Sequence, residues 1–234
     1  MRLKRIVLLV ISLLLSISLF SCGGGDGSSA PPPPPLIEAL LFSFPTGSVP
    51  SNFQNALVSV KGSSNGPSIT TATVVMNNVT LTYNAAPTHQ QYEGNVVVMP
   101  GGSVTLSVTV GGSTYTASGT QFKIYPTITA PLPEASFYAS SSNLVTWTQG
   151  APLTTAAYLL GVLDAADPIG SPAYFHPLPI TETSFSIPLG SLSLMTGSRI
   201  VIVGITTPVL IPNAAADSFF VFGGFNYVPI TVYE

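Results

Sequence analysis

The chain has 234 residues, of which only 6% are charged, and its formal net charge is −3 at neutral pH. Six lysines and arginines oppose nine aspartates and glutamates, which excludes a basic surface for nucleic acid. Soluble domains have about 25% charged residues, so Ser, Thr, Asn and Gln must supply the polar surface here. Such hydroxyl-rich sequence favours β-sheets over long exposed helices. The single cysteine, Cys22, excludes an intramolecular disulfide, so packing must stabilise the fold.

Residues 1–21 have the three zones of a secretory signal peptide. Arg2, Lys4 and Arg5 precede an apolar run over residues 6–20, and small residues follow. At 1.5 Å per residue, this run reaches about 22 Å, whereas the hydrocarbon of a bilayer is roughly 30 Å thick. An uncleaved membrane anchor would therefore be strained, and we expect the segment to be removed.

The residues Leu19-Phe20-Ser21-Cys22 resemble the lipobox of bacterial lipoproteins, although Phe20 is bulkier than the usual residue at its position. The resemblance covers about the first 22 residues. It implies a diacylglycerol on Cys22, cleavage before Cys22, and a lipid-anchored place in the cell envelope. Gly23 stands where some lipoproteins carry an inner-membrane retention aspartate, which favours the outer membrane. The alternative is a plain signal peptide with an incidental cysteine.

The segment 22–35 continues from the cysteine as a linker. Glycines and serines give a flexible coil, and the five prolines 31–35 give a short polyproline II spacer. Fully extended, about 13 residues would hold the rest of the chain roughly 40 Å from a bilayer. Docking of the prolines to an SH3-like groove is the weaker interpretation.

Residues 36–126 alternate short apolar strands with turn signals. Between residues 104 and 110 valine and leucine alternate with serine and threonine, which predicts a strand with one buried face. Gly111-Gly112 then predicts a type I′ hairpin turn, and Asn77-Asn78 predicts a second two-residue hairpin, because asparagine tolerates the left-handed conformation. Further strands are predicted over 95–99 and 122–125. Roughly seven strands in about 90 residues predict a first β-sandwich domain.

Three prolines in 126–133 predict a junction, and residues 127–234 predict a second β-sandwich. Leu144-Val145-Thr146-Trp147 alternates and places Trp147 in the core, packed on the apolar strands 156–163 and 199–206. Separate strands over 219–222 and 226–233 close the chain.

The Leu144–Trp147 run, Ala157-Tyr158, the 184–188 strand and the strand beginning at Arg199 resemble a fibronectin type III domain. The tyrosine that usually begins the sixth strand of that family is missing, and the stretch 163–183 is long. An immunoglobulin-like sandwich of other topology fits equally well. The fold class is therefore all-β, with two tandem immunoglobulin-like or fibronectin III-like sandwiches.

The sequence contains few of the motifs that mark catalytic or metal-binding sites. His89 and His176 lie in different predicted domains, and Cys22 would be acylated, so no zinc spacing occurs. Asp164 and Asp167 could contribute to a calcium loop, but aspartate also favours turns for its own hydrogen bonds. No Gly-x-Ser-x-Gly elbow, phosphate loop or dinucleotide fingerprint is present. We expect no enzyme activity, no cofactor and no metal.

Aromatic side chains could mark a sugar-binding face. The candidates are Tyr83, Tyr92, Tyr115, Tyr174 and Phe175, although strand packing explains each more simply.

The sequence thus predicts a lipid-anchored envelope protein with a non-catalytic binding, adhesion or structural role and an unidentified protein or glycan ligand. The alternative is a carbohydrate-binding or surface-adhesin module pair. An envelope hydrolase with an unmarked site is the third hypothesis.

Overall fold

The computed structural model describes residues 33–45, 54–149, 156–164 and 173–234. Cys22, the signal-peptide segment, most of the linker and Asp167 lie outside the described residues. All regular elements in the described part are strands. No helix there is long and apolar enough to cross a membrane.

Sixteen strands follow one another in the described residues. They are β1 (Leu36–Ser43), β2 (Ala56–Lys61), β3 (Thr73–Met76), β4 (Val79–Thr80), β5 (Thr82–Asn84), β6 (Gln91–Gly94), β7 (Ser103–Val110), β8 (Ser113–Thr120), β9 (Ile128–Ala130), β10 (Ala135–Tyr138), β11 (Asn143–Trp147), β12 (Ala157–Asp164), β13 (Tyr174–Leu178), β14 (Ser184–Ile187), β15 (Gly197–Leu210) and β16 (Phe219–Tyr233).

One large sheet runs through the whole described structure, in the order β13-β12-β15-β16-β1-β2-β6-β5, with β10 also paired to β16. The long antiparallel pair of β15 and β16 extends from Gly197 opposite Val232 to Leu210 opposite Phe219. β1 runs parallel to the first part of β16, and β10 runs parallel to its last part. The sheet therefore joins strands from both of the domains predicted at 36–126 and 127–234. That division stays a prediction.

Two smaller sheets cover one face of the large sheet, which makes the structure a β-sandwich. Their orders are β4-β3-β7-β8 and β14-β11-β9. Phe220 and Phe222 of β16 pack in one core with Leu106 of β7. Val228 and Val232, on the same face of β16, pack in a second core with strand β11. The single large sheet thus supports two adjacent cores.

The opposite face of the large sheet carries a third apolar cluster. Leu40, Phe42, Leu159, Ile202 and Phe225 belong to it, at positions that alternate with those facing the two cores. The rings of Phe42 and Phe225 lie 4.9 Å apart between centroids. Burial on both faces explains why β12 reads as a nearly continuous apolar run in the sequence.

The connection from β8 to β9 is fixed to the large sheet by side-chain hydrogen bonds. Gln121 Nε2 donates to Ser43 Oγ at 2.8 Å and to the Gly223 carbonyl at 3.2 Å. Asn226 Nδ2 donates to the Pro126 carbonyl at 2.9 Å. The segment that the sequence suggests as a junction is therefore held against the strand that both halves share.

Tyr125 packs against β16 at the same place. A Cβ added to Gly224 would lie 2.1 Å from the Tyr125 ring, so only glycine allows this approach. Burial raises the pKa of Tyr125 to about 12, and its hydroxyl oxygen has no hydrogen-bond partner among the described residues.

Several local predictions are confirmed. Val104, Leu106 and Val108 are buried on alternating positions of β7. Gly111 and Gly112 turn the chain into β8 with φ values of 57° and 85°, as a type I′ hairpin requires. Trp147 is only 3% exposed and meets Tyr158 edge to face at 5.6 Å, in the core with strands β12 and β15.

Two strand predictions are wrong. Residues 95–99 form no strand, although Val96 and Val98 pack in the first core. The Val96 N–H donates to Asn55 Oδ1 at 2.8 Å. The hydrogen bond that a neighbouring strand would accept is therefore accepted by a side chain. Residues 122–125 also form no strand, because they belong to the connection that crosses the sheet.

Candidate functional site

The acidic side chains considered for metal binding are divided between an ion pair and the undescribed part of the chain. The Asp164 carboxylate lies 2.8 Å from Arg199 Nη1. Asp167 lies outside the described residues. Within the described ranges, no group of three or more His, Cys, Asp or Glu side chains is placed to hold a metal ion. Asp164, the calcium-candidate carboxylate that lies in the described residues, is therefore paired with Arg199.

His89 belongs to a polar cluster on the edge of the large sheet that the sequence analysis missed. Its Nδ1 lies 2.6 Å from Glu93 Oε1. Glu93 also accepts hydrogen bonds from Gln91 Nε2 at 2.9 Å and from Asn84 Nδ2 at 3.0 Å. Because three side chains converge on one buried carboxylate, the cluster holds β5, β6 and the preceding loop together. The alternation of polar residues in β6 is the signal that could have revealed it.

His176 lies at the far side of the same sheet. It is in β13, whereas His89 precedes β6 near the opposite edge. The His176 ring stacks on Phe185 at 4.2 Å and on Tyr174 at 6.4 Å between centroids. Burial lowers the pKa of His176 from its ordinary value. The two histidines are therefore separated by the width of the sheet and do not form one site.

The five aromatic residues proposed from the sequence all take part in packing. Tyr92 is 3% exposed, meets Tyr83 edge to face at 5.2 Å, and donates its hydroxyl hydrogen to the Ile69 carbonyl at 3.0 Å. Burial raises the pKa of Tyr92. The other three pack against one of the three apolar clusters and are partly buried, namely Tyr115, Tyr174 and Phe175. The packing interpretation of these residues is confirmed.

An exposed aromatic pair lies elsewhere, at the end of the large sheet. Tyr138 and Tyr233 are 49% and 48% exposed, and their rings stack with centroids 5.7 Å apart and planes 29° apart. They are partners in the parallel pairing of β10 with β16. Sequence reasoning missed the pair because its members lie far apart in the chain and only this pairing brings them together.

Hydrogen bonds fix the backbone beneath this pair. The Tyr138 N–H donates to Asn143 Oδ1 at 3.0 Å, and Asn143 Nδ2 donates back to the Tyr138 carbonyl at 2.8 Å. The Ala139 N–H donates to the Tyr233 carbonyl at 2.8 Å. Two half-exposed rings on a fixed backbone offer a preorganised apolar surface with two polar hydroxyl ends.

Comparison with known proteins adds little to this geometry. No family model matches the chain, and no curated protein matches it. Among solved structures, the fibronectin(III)-like modules of Clostridium thermocellum CbhA are similar at 12% identity, covering 85% of this chain and 93% of that one, with a TM-score of 0.26. Tandem immunoglobulin domains of titin are similar at 10% identity, covering 86% and 97%, with a TM-score of 0.23.

Domains 4 and 5 of the S-layer protein SbsC are similar at 14% identity, covering 76% of this chain and 82% of that one, with a TM-score of 0.19. These likenesses are to immunoglobulin-like, fibronectin-like and surface-layer modules. Because the TM-scores are low, the description of the fold rests on the sheets and the cores between them.

Proposed function

We propose that this protein is a lipid-anchored, non-catalytic module of the bacterial cell envelope with a binding, adhesion or structural role. The observation that carries the proposal is the continuous pair of β15 and β16, which passes through both halves of the sandwich. Fourteen residue pairs at about 3.4 Å each give an uninterrupted ribbon about 45 Å long. A ribbon of this length, packed on a core at each half, suits a stiff spacer.

The chemically reactive side chains support a non-catalytic role because they serve structural contacts. Glu93 holds a loop and two strands, and Asp164 pairs with Arg199. Glu38 pairs with Lys61 at 3.2 Å on the outer face of the large sheet. These ion pairs and hydrogen bonds stabilise sheet edges rather than converge on a cleft.

The entry of the chain into the sheet supports an anchored protein. The linker leads into β1, which is paired on both sides, to β2 and to β16. The Ile37 N–H donates to Ser218 Oγ at 3.0 Å, and the Ala215 N–H donates to the Pro35 carbonyl at 3.0 Å. A pull on the N-terminal linker would therefore pass directly into the centre of the large sheet.

Lipidation of Cys22 is the first test of the proposal. In a bacterial host that modifies lipoproteins, the wild-type chain should incorporate labelled palmitate and fractionate with membranes. Cys22→Ala should lose the label and remain unprocessed or soluble, because the thioether bond needs the cysteine sulfur. Ser28→Ala, in the same linker, is the matched control and should behave as wild type. Equal labelling of the Cys22→Ala chain would contradict the anchor.

Glycan binding at Tyr138 and Tyr233 is the second candidate function. The specific observation in its favour is the stacked, half-exposed pair of rings, since apolar ring faces can stack on the apolar faces of sugars. On a glycan array, the wild-type protein should bind at least one glycan class, and Tyr138→Ala/Tyr233→Ala should weaken that binding at least tenfold.

A matched control distinguishes ring stacking from general surface change. Leu144 is 56% exposed and apolar but not aromatic, so Leu144→Ala should leave glycan binding unchanged. Absence of binding by the wild-type protein, or equal binding by the double tyrosine variant, would reject this candidate and leave the non-catalytic structural role.

A further inference from the structure

Strand β8 is an edge strand that the end of β15 approaches without pairing to it in the described residues. It is the last strand of the four-stranded sheet, and within the described residues it pairs with β7 alone. Its eight residues, Ser113–Thr120, include no charged residue and no proline. A long uncharged edge of this kind is a template for pairing with another strand, and proteins usually block it.

The other sheet edges in the described part of the chain are protected. The strands β4, β5, β9, β10 and β14 have two, three, three, four and four residues. Strand β13 is longer but contains Pro177, which cannot donate a backbone hydrogen bond. The end of β15 that extends beyond its pairing with β12 contains Pro208. Short strands and prolines are the usual protections, and β8 has neither.

The register of β7 and β8 shows which backbone groups are free. Val110 and Ser113 flank a two-residue turn, so they form a hydrogen-bonded pair, and such pairs alternate along an antiparallel ladder. Gln121 lies an even number of residues after Ser113, so its N–H should also point toward β7. It donates to the Gly102 carbonyl at 2.8 Å, which agrees with this assignment. The N–H and C=O groups that point outward therefore belong to Thr114, Thr116, Ser118 and Thr120.

An open groove of about 550 Å³ crosses the solvent face of the four-stranded sheet, from Val75 of β3 over Ser107 of β7 to this edge. At the edge, Thr116 and Ser118 of β8 line it together with Val209 and Leu210 of β15, and Leu210 is 69% exposed. A strand added to β8 would meet free backbone groups and an apolar surface at once. The strand that fits has no charge and alternates hydroxyl with apolar side chains, as β8 itself does with Tyr115 and Ala117 between threonine and serine residues.

We propose that β8 pairs antiparallel with β8 of a second copy of this chain across a two-fold axis. Thr116 then lies opposite the partner's Ser118, and Thr114 lies opposite the partner's Thr120, with Ala117 on the axis. This register engages all four outward-facing residues, and four pairs of two bonds each give about eight hydrogen bonds. The interface is isologous, the arrangement of the commonest homodimers.

The side chains of β8 suit this self-pairing. Opposed threonine and serine hydroxyls hydrogen-bond across antiparallel strands, as Thr109 Oγ1 and Thr114 Oγ1 do at 3.0 Å between β7 and β8. Because no residue of β8 is charged, no like charges oppose one another across the axis. The pairing joins the two four-stranded sheets into one, and it is independent of the proposed lipid anchor.

Charge substitutions at the edge test both the dimer and its register. The full-length chain in detergent, measured by light scattering over a range of concentrations, should have a two-copy protein mass. Thr116→Lys/Ser118→Lys opposes lysines at both central pairs and should give a one-copy mass. Thr116→Lys/Ser118→Glu opposes unlike charges at both pairs and should restore the two-copy mass.

Controls and contrary outcomes keep the test decisive. Thr73→Lys adds the same charge to an exposed position of β3, away from the edge, and should leave the two-copy mass unchanged. The far-ultraviolet circular dichroism spectrum of each variant should match wild type, which shows that the sheet has formed. A one-copy mass for wild type at every concentration overturns the dimer. A two-copy mass that persists in the double lysine variant, or fails to return in the lysine-glutamate variant, overturns the edge or its register.

Discussion

His176 is the residue whose surroundings most clearly link structure to pH. Its ring lies between Phe185 and Tyr174, and burial lowers its pKa from the ordinary value. In the unfolded chain the same ring titrates near its usual pKa of about 6.5. The unfolded state therefore binds more protons than the folded state between the two pKa values. Stability should fall as pH decreases through about 6.5 and level off below the folded-state pKa.

Replacing this histidine should remove its part of the pH dependence. His176→Phe keeps a ring between the two aromatic neighbours but cannot bind a proton, so its free energy of unfolding should fall less than that of wild type between pH 7.5 and pH 5. Chemical denaturation at several pH values measures the difference. Tyr174→Phe retains the histidine and is the control, and it should keep the wild-type slope. Parallel curves for wild type and His176→Phe would show that the pKa of His176 is the same in the folded and unfolded states.

At the scale of elements, local patterns predict strands well where one face is buried and the turn is short. The β7–β8 hairpin follows from an alternation of valine with threonine and from two glycines, both of which act within a few residues. Trp147 is placed in the core by the same alternation. These features depend on neighbours in the sequence, which is why the sequence contains enough information to predict them.

Strand β16 shows where this reasoning stops. The sequence analysis predicts two separate strands, over 219–222 and 226–233. In the structure Gly223 and Gly224 continue one fifteen-residue strand between them. Glycine is needed at position 224 because the Tyr125 ring packs where a Cβ would collide. That contact comes from a segment about a hundred residues away, so no local pattern distinguishes it from a turn.

The candidate binding surfaces depend on the same long-range pairings. Tyr138 meets Tyr233 only because β10 runs parallel to the end of β16. Whether a strand pairs with the outer edge of β8 depends on where the other strands of the fold lie. The sequence of β8 alone does not show which strands are its neighbours. Composition and spacing could therefore suggest a sandwich with exposed aromatic residues, but not which residues form a surface.

At the scale of the whole molecule, the shared ribbon links the stability of the two halves. Val209, near the end of β15, packs against the first core, to which Phe220 of β16 belongs together with Ile211, just after β15. Val201 and Val203, earlier in β15, belong to the second core. Each long strand is thus buried in both cores. Loss of one core would expose a strand on which the other core depends.

This coupling predicts a single cooperative unfolding transition. Calorimetry of the wild-type protein should give one peak whose van't Hoff and calorimetric enthalpies agree, and fluorescence of Trp147 should change together with far-ultraviolet circular dichroism. Two independent domains at 36–126 and 127–234 would instead give two transitions, with Trp147 fluorescence following only one of them.

Core substitutions in each half make the test sharper. Trp147 is buried in the second core and Leu106 in the first, at 3% and 1% exposure. Truncation to alanine typically costs about 3–5 kcal/mol for tryptophan and 2–5 kcal/mol for leucine, against a usual total of about 5–15 kcal/mol. Because both cores share β15 and β16, Trp147→Ala and Leu106→Ala should each lower the temperature of the same single transition. A second transition that stays at the wild-type temperature in either variant would show that the two halves unfold separately despite the continuous sheet.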